Sequence, residues 1–221
     1  MISEPTIYST LKQEIGPDVT LVAVSKTKPT DQILALYEKG QRAFGENYVQ
    51  ELIEKQALLP DDIQWHFIGH LQTNKVKYIA PFVHLIHGID SLKLLREVNK
   101  EAVKNKRSIN VLLQIHIAQE ETKFGLNEQE LEALITQLQE QPLLHVKIIG
   151  MMGMASFSED TEQVRREFHY LKALFNRYQS IHLPNFELKQ LSMGMSSDYK
   201  IALSEGSTMI RIGSLLFGSR F

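Results

Sequence analysis

The chain has no cysteine among its 221 residues. That excludes a disulfide framework, a thiolate metal site and a cysteine nucleophile, and it is compatible with a cytoplasmic protein. Excess charge of either sign is also missing. Lys and Arg number 24 against 26 Asp and Glu, for a formal net charge of -2, so neither nucleic acid nor an anionic membrane is expected as a partner. No apolar run approaches the ~20 residues needed to cross a bilayer. The opening residues, Met1-Ile2-Ser3-Glu4-Pro5, have neither the basic segment nor the apolar core of a secretory signal. Pro- or Gly-rich linkers are absent too, so the expectation is one domain over residues 1–221, with a short helix before the first strand.

What is present is alternation. Leu21–Ser25, Ala43–Gly45, Gln64–Gly69, Leu85–Ile89, Asn110–Ile117, Val146–Gly150, Glu187–Leu191 and Met209–Ile212 read as strands. Helical patterns fall between them. Before the first strand, Ile7, Leu11 and Ile15 lie four apart. Ile33, Leu34, Leu36 and Tyr37 line one face of 30–39; Leu52 and Ile53 point inward from 48–58; Thr73–Ala80 is a short helix stopped by Pro81. Ser91 opens a helix with Leu92, Leu95, Val98 and Ala102 on one face, and Asn127 with Glu130 opens another in the manner of a capping box. The longest helix, 160–179, buries Val164, Phe168, Leu171, Leu174, Phe175 and Tyr178, and Ser197–Glu205 gives the last. Eight strand–helix units imply parallel strands joined by right-handed crossovers. They favour a closed (β/α)8 barrel over an open doubly wound sheet.

Sites in such a barrel form at the C-terminal ends of the strands. The first strand, Leu21-Val22-Ala23-Val24-Ser25, ends at Lys26. Desolvation there can lower an amine's pKa and make it available to attack a carbonyl, although a lysine can also simply end a strand in solvent. Other strand ends supply Asn47, His70, Met151, Met152, Ser192 and Arg211. The loops after the last two strands carry Gly194, Ser196, Ser197, Gly213 and Ser214. Glycines let the backbone approach an anion and serines add donors, as a phosphate site requires, although these can also be merely small loop residues. A Schiff-base lysine facing a phosphate site suggests pyridoxal 5′-phosphate (PLP), whose aldehyde and phosphate need two such partners. Arg211 either anchors the phosphate or faces the pyridine nitrogen. In the second case a donor-only guanidinium keeps that ring neutral and a weak electron sink.

Other groups carry less. His66 and His70 are four apart but lack a helical His-Glu-x-x-His pattern. His84 and His87 are expected on opposite faces of a strand as packing residues. Met151, Met152 and Met154 are expected as core or pocket lining, Lys104–Arg107 as cations at a helix end. Asp61-Asp62 and Glu120-Glu121 read as solvated loop charges, and no carboxylate pair is placed for acid–base work.

At seven segments the chain resembles the pyridoxal phosphate homeostasis (YggS/PROSC) family: AVSKTKP at 23–29, FGENYVQE at 44–51, WHFIGHLQTNK at 65–75, KFGL at 123–126, GMM at 150–152, LSMGMSSD at 191–198 and STMIRIGSLLFG at 207–218. The resemblance implies a single PLP barrel like the N-terminal domain of alanine racemase. It implies that Lys26 carries the cofactor as an internal aldimine, that Ser196, Gly213 and Ser214 hold the phosphate, and that Arg211 faces the pyridine nitrogen. Asn47 would lie near the lysine side, with His70, Met152 and Ser192 as further cofactor-binding positions and Lys28 as a second, transient lysine. No metal and no catalytic residue are implied. The expected role is PLP buffering or delivery affecting amino-acid and keto-acid balance, without turnover, by a monomer whose candidate partners are PLP-requiring apo-enzymes. No racemase-like second domain is expected after strand eight, which would leave the site open to water. The alternatives are a PLP-dependent amino-acid racemase or lyase of narrow specificity and a sugar-phosphate aldolase using Lys26.

Overall fold

The structure is a computed structural model that describes residues 6–120 and 123–218. After α1 (Ile7–Ile15), strands and helices alternate: β1 (Thr20–Val24), α2 (Thr30–Tyr37), β2 (Ala43–Glu46), α3 (Val49–Leu58), β3 (Gln64–Phe67), α4 (Val76–Ile79), β4 (Leu85–Ile89) and α5 (Leu92–Lys104). The second half continues with β5 (Ile109–Gln114), α6 (Glu128–Glu140), β6 (Val146–Met152), α7 (Thr161–Gln179), β7 (Phe186–Ser192), α8 (Tyr199–Ser204), β8 (Met209–Ile212) and α9 (Ser214–Phe217). The strands form a closed barrel in sequence order. β8 returns to β1 in parallel, with Leu21 opposite Ile210 and Val22 opposite Arg211. The expected (β/α)8 barrel is thus the fold, and the open sheet is not.

Strands covered on both faces need apolar side chains in both directions, which is why β5 reads as a run, Val111-Leu112-Leu113, rather than an alternation. All five residues of β4 are buried. The helices close over the outside with apolar stripes: Leu94, Leu95, Val98 and Ala102 on α5, and Val164, Phe168, Leu171, Leu174, Phe175 and Tyr178 on α7. Their starts are fixed locally. The Ser91 hydroxyl accepts from Leu94 N at 3.3 Å, and Asn127 and Glu130 exchange side-chain-to-backbone bonds of 2.9 Å in a full capping box. A separate apolar cluster takes one residue from each of six strands: Val22, Ala43, Leu85, Leu112, Met152 and Met209. It fills the barrel interior beneath the site.

Some boundaries differ from the sequence expectation. β5 ends at Gln114; beyond it Ile115 N still donates to Met152 O at 2.8 Å, and Ile115 forms an isolated bridge with Leu126. β6 and β7 instead run on to Met152 and Ser192, which are partners in register. The 73–80 helix divides into a 3-10 turn over Thr73–Lys75 and α4. On α1 only Leu11 and Ile15 are buried, and they pack with Leu21 and Ile210; Ile7 is 66% exposed. Among the described residues no helix is long and apolar enough to cross a membrane.

Candidate functional site

The mouth of the barrel holds a cavity of about 480 Å³. Lys26, just beyond β1, lines it together with Arg211 of β8, Gly213, Ser214, Ser196 and Ser197. Val24, Ile68, Met154, Met195 and Leu215 supply apolar wall, and Phe157, 93% exposed, stands at its edge. The lysine, the arginine and the hydroxyl-rich loops therefore line one cavity.

The serine loops are held in place by the chain itself. Gly213 N donates to Ser196 Oγ at 3.3 Å, which ties the turn after β7 to the turn after β8. Met195 N donates to Asp198 Oδ1 at 2.6 Å; burial pushes the Asp198 carboxyl above its ordinary pKa. Gly194 has φ +95°, and a Cβ there would lie 2.6 Å from Ala202 Cβ, so this turn needs glycine for both conformation and space.

Beneath Lys26 lies an ionic cluster. Lys55 Nζ donates to Glu46 Oε1 at 2.8 Å, to Glu51 Oε1 at 2.7 Å and to the Ser25 carbonyl at 2.7 Å. Ser25 Oγ donates to Glu46 Oε1 at 2.5 Å, and Thr27 N donates to Glu51 Oε1 at 2.5 Å. Both neighbours of Lys26 are thereby pinned, and Thr27 is held at φ +64°, a strained setting for a β-branched residue. Burial raises the Glu46 pKa, and its bonds to Lys55 and Ser25 act in the opposite direction.

Arg211 is 4% exposed. Its Nη1 donates to Ser192 O at 2.9 Å and Ser192 Oγ at 2.6 Å, and its Nη2 donates to Gly153 O at 3.1 Å. Burial lowers its pKa to about 10, which leaves it protonated at neutral pH. Below it Ser192 Oγ meets His87 Nδ1 at 3.2 Å, and His87 Nε2 meets His66 Nδ1 at 2.9 Å. Burial depresses both histidines, His66 to about 3 and His87 well below its ordinary value, so both rings are neutral.

Of the remaining sequence candidates, Lys28 shares a smaller pocket of about 190 Å³ with Lys26, Gly213 and Ser214, and the others fall outside the Lys26 cavity. Asn47 and His70 line a neighbouring groove of about 450 Å³ with Tyr48, Gln72, Lys75 and Tyr78, rather than the Lys26 cavity. His70 stacks on Phe124 at 3.9 Å and pairs with Asp90 at 3.2 Å. Met152, 1% exposed, belongs to the barrel-interior cluster, and Ser192 lies wholly buried under Arg211. Lys28 Nζ donates to the carbonyls of Phe217 at 3.0 Å and Gly218 at 3.4 Å, fastening the end of α9. His84 and His87 do not diverge as expected: both rings approach His66, at 5.4 and 5.2 Å, and His84 precedes β4 instead of lying within it. Glu120 is not merely solvated. It accepts from Phe157 N at 3.1 Å and pairs with Lys123 at 3.0 Å, and hydrogen bonding, led by that of Ser156, draws its pKa down to about 2; Glu121 lies outside the described residues. Asp62 is likewise engaged, with Arg42 at 2.8 Å and the Tyr37 hydroxyl at 2.6 Å. Among the described residues no group of His, Cys, Asp and Glu could hold a metal ion.

Sequence reasoning missed Glu46, Lys55 and Glu51 as supports of the lysine loop. The available signal was the Glu51–Lys55 spacing of four on a helix that starts directly beyond β2.

The sequence pattern of the alanine racemase N-terminal domain matches residues 8–221. A pyridoxal phosphate homeostasis protein of Aquifex aeolicus is 43% identical over 201 residues, covering 90% of this chain and 86% of that protein. Proteins of the same name from Schizosaccharomyces pombe and Escherichia coli K12 are 41% and 37% identical, covering 93% and 92% of this chain and 86% of each relative. Among solved structures, PipY of Synechococcus elongatus PCC7942 with PLP bound superposes with a TM-score of 0.87 at 36% identity, covering 96% of this chain and 98% of that one. Alanine racemase of Clostridium difficile 630 shares the fold at a TM-score of 0.75 and 15% identity, over 100% of this chain and 60% of its own. The chain belongs to the pyridoxal phosphate homeostasis protein family and is built on the alanine racemase N-terminal barrel.

Proposed function

We propose that this protein binds PLP at the barrel mouth and serves intracellular PLP homeostasis, holding the cofactor for buffering or delivery. The observation that carries this reading is that Lys26, Arg211 and the Ser196–Ser197 and Gly213–Ser214 turns line one cavity of about 480 Å³. The donor set fits the group: an amine for an aldehyde, hydroxyls and loop backbone for a phosphate, and apolar Val24, Ile68 and Met195 for a ring. When bound, PLP would supply a carbonyl for covalent attachment and an electron sink.

The residues take distinct parts. Lys26 holds the aldehyde carbon. Ser196, Gly213 and Ser214 bind the phosphate with hydroxyl and N–H donors. Arg211, protonated and donor-only, faces the ring nitrogen and withholds a proton from it, which keeps the cofactor a weak sink. Asn47 and His70 line a groove apart from the Lys26 cavity and would act on the cofactor only from outside it. Met152 and Ser192 support it from the barrel interior.

The protein acts as a carrier without turnover of its own. The cavity lining supports this, because among the described residues it contains Lys26 and Arg211 but no carboxyl, imidazole or phenol, and the smaller pocket that shares Lys26, Gly213 and Ser214 adds only Lys28. Racemisation needs a second acid–base group on the opposite face of the substrate Cα. PLP-requiring apo-enzymes are the receiving partners, and the protein works as a monomer in the cytoplasm.

The test is a visible absorption spectrum of the purified protein before and after borohydride reduction, followed by peptide mapping. A band that disappears on reduction, with the pyridoxyl mass on Lys26, is expected. A protein that stays colourless with added PLP, or a Lys26→Ala variant that retains covalent PLP elsewhere, would overturn the assignment. Exchange of the α-proton of added amino acids at a steady catalytic rate would overturn the carrier role alone.

A further inference from the structure

A file of polar side chains runs through the barrel directly below the cavity: Arg211, Ser192, His87 and His66, at 4%, 0%, 0% and 2% exposure. They come from β8, β7, β4 and β3, so the file crosses the barrel rather than following one wall. The surrounding interior is apolar, built from Val22, Ala43, Leu85, Leu112 and Met209. Four polar side chains in such a place require a reason beyond packing, because burial without partners costs free energy.

The hydrogen-bond polarity of the file follows from its upper end. Arginine only donates, so Ser192 Oγ is an acceptor toward Arg211 at 2.6 Å. The serine proton then goes to His87 Nδ1 at 3.2 Å. A neutral His87 that accepts at Nδ1 carries its proton on Nε2, which donates to His66 Nδ1 at 2.9 Å. The His66 proton accordingly sits on Nε2, a buried atom with no hydrogen-bond partner among the described residues. The reverse polarity would strand two groups, the Ser192 proton and the His66 Nε2 lone pair. The forward polarity strands one.

We propose that His87, backed by His66, is a positioning residue for the cofactor: through Ser192 it locks the Arg211 guanidinium in its cavity-facing pose. This rests on the PLP reading of the cavity. Among the described residues no carboxylate is in direct contact with Arg211, although Asp198 attracts it from farther off, and its hydrogen bonds go to two carbonyls and one hydroxyl. The hydroxyl is the adjustable one. A serine side chain rotates freely unless its own proton is committed, and His87 commits it. The histidine pair thus sets which lone pair Ser192 presents to Arg211. Two neutral rings do this without placing a second positive charge beneath a cationic residue.

The experiment compares His87→Leu, His87→Gln and Ser192→Ala with wild type after loading with PLP. It reads the absorbance maximum of the bound cofactor, its dissociation constant by titration, and the melting transition. His87→Leu is expected to keep PLP on Lys26, to shift the absorbance maximum, and to weaken binding by about fivefold, the weight of one hydrogen bond between neutral groups. His87→Gln is expected to recover most of both, since its carbonyl can accept from Ser192 while its amide donates to His66. Ser192→Ala is expected to reproduce the His87→Leu spectrum with both histidines in place, and it carries the test if His87→Leu does not fold. Wild-type maximum and affinity in His87→Leu or Ser192→Ala, or a His87→Gln protein no closer to wild type than His87→Leu, would overturn the relay while the PLP reading stands. A wild-type protein that takes up no PLP would overturn both.

Discussion

Lys55 reaches across from α3 to the Ser25 carbonyl, 2.7 Å away, and so grips the backbone one residue before Lys26. The same ammonium joins Glu46 and Glu51, and their side chains hold Ser25 Oγ and Thr27 N. The position of the candidate Schiff-base lysine is therefore set by a buried ionic cluster rather than by the strand alone. Removing Lys55 leaves the Glu46 carboxylate buried without its cation, which is the costly way to break such a pair.

Lys55→Met is accordingly expected to lose about 3 kcal/mol of stability in urea unfolding. It is also expected to loosen PLP binding, because the loop carrying Lys26 loses its anchor. A double variant, Lys55→Met with Glu46→Gln, should recover part of the stability by removing the stranded charge. A double variant no more stable than the single one would show that Glu46 is not the source of the loss.

The turn after β7 carries the next expectation. Gly194 sits at φ +95°, and its carbonyl accepts from Arg211 N at 3.0 Å. Gly194→Ala puts a methyl 2.6 Å from Ala202 Cβ in a conformation that L-residues rarely adopt. The loss is expected to be about 2–3 kcal/mol, with the Ser196–Ser197 turn displaced from the cavity. Thermal melting together with PLP titration checks this. Undiminished affinity in a destabilised variant would mean that the turn does not bind the phosphate.

The barrel was legible in the sequence because a parallel strand buried on both faces carries its apolar residues as a run, as Val111-Leu112-Leu113 does in β5, while helices announce themselves with apolar stripes and caps. Lys26, Gly213 and Ser214 were legible for a related reason: they follow the last residue of a clear strand, and barrel chemistry collects there. Met152 was harder. Its direction depends on the register of β6, which shifts between Ile148 and Gly150 against its neighbour. The His66–His87 contact joins residues 21 apart, and it exists because β3 and β4 pair as parallel neighbours and bring the two side chains together. Spacing within one segment carries no information of that kind. Glu46 and Lys55, nine apart across a strand end and a helix, escaped for the same reason.

Lys28 offers a finer test of the mouth. Its ammonium holds the carbonyls of Phe217 and Gly218 at the C-terminal end of α9, whose first residue, Ser214, lines the cavity. A cation is well placed at the carbonyl end of a helix. Lys28→Met is expected to weaken PLP binding several-fold by releasing α9, while the pyridoxyl group still maps to Lys26 after reduction. Loss of that mass from Lys26 would instead give Lys28 a direct part in attachment.

The buried histidines also set a pH dependence whose sign can be worked out. His66 titrates at about 3 in the folded protein and His87 well below its ordinary value, whereas in the unfolded chain both titrate near 6.5. The unfolded state therefore binds protons that the folded state refuses. Their contribution to stability is complete above about pH 6.5 and is lost progressively as the pH falls toward the folded values. Each histidine is expected to cost roughly 1 kcal/mol per pH unit over this range. Urea unfolding at pH 7.0, 6.0 and 5.0 reads the slope above the region where carboxylates dominate. His66→Phe should remove between a third and a half of it, since burial depresses His84 as well as His66 and His87 and one of these three rings is gone. A wild-type protein equally stable at pH 7 and pH 5 would mean that the rings reach water or accept protons inside the barrel, and the neutral file beneath Arg211 would not stand.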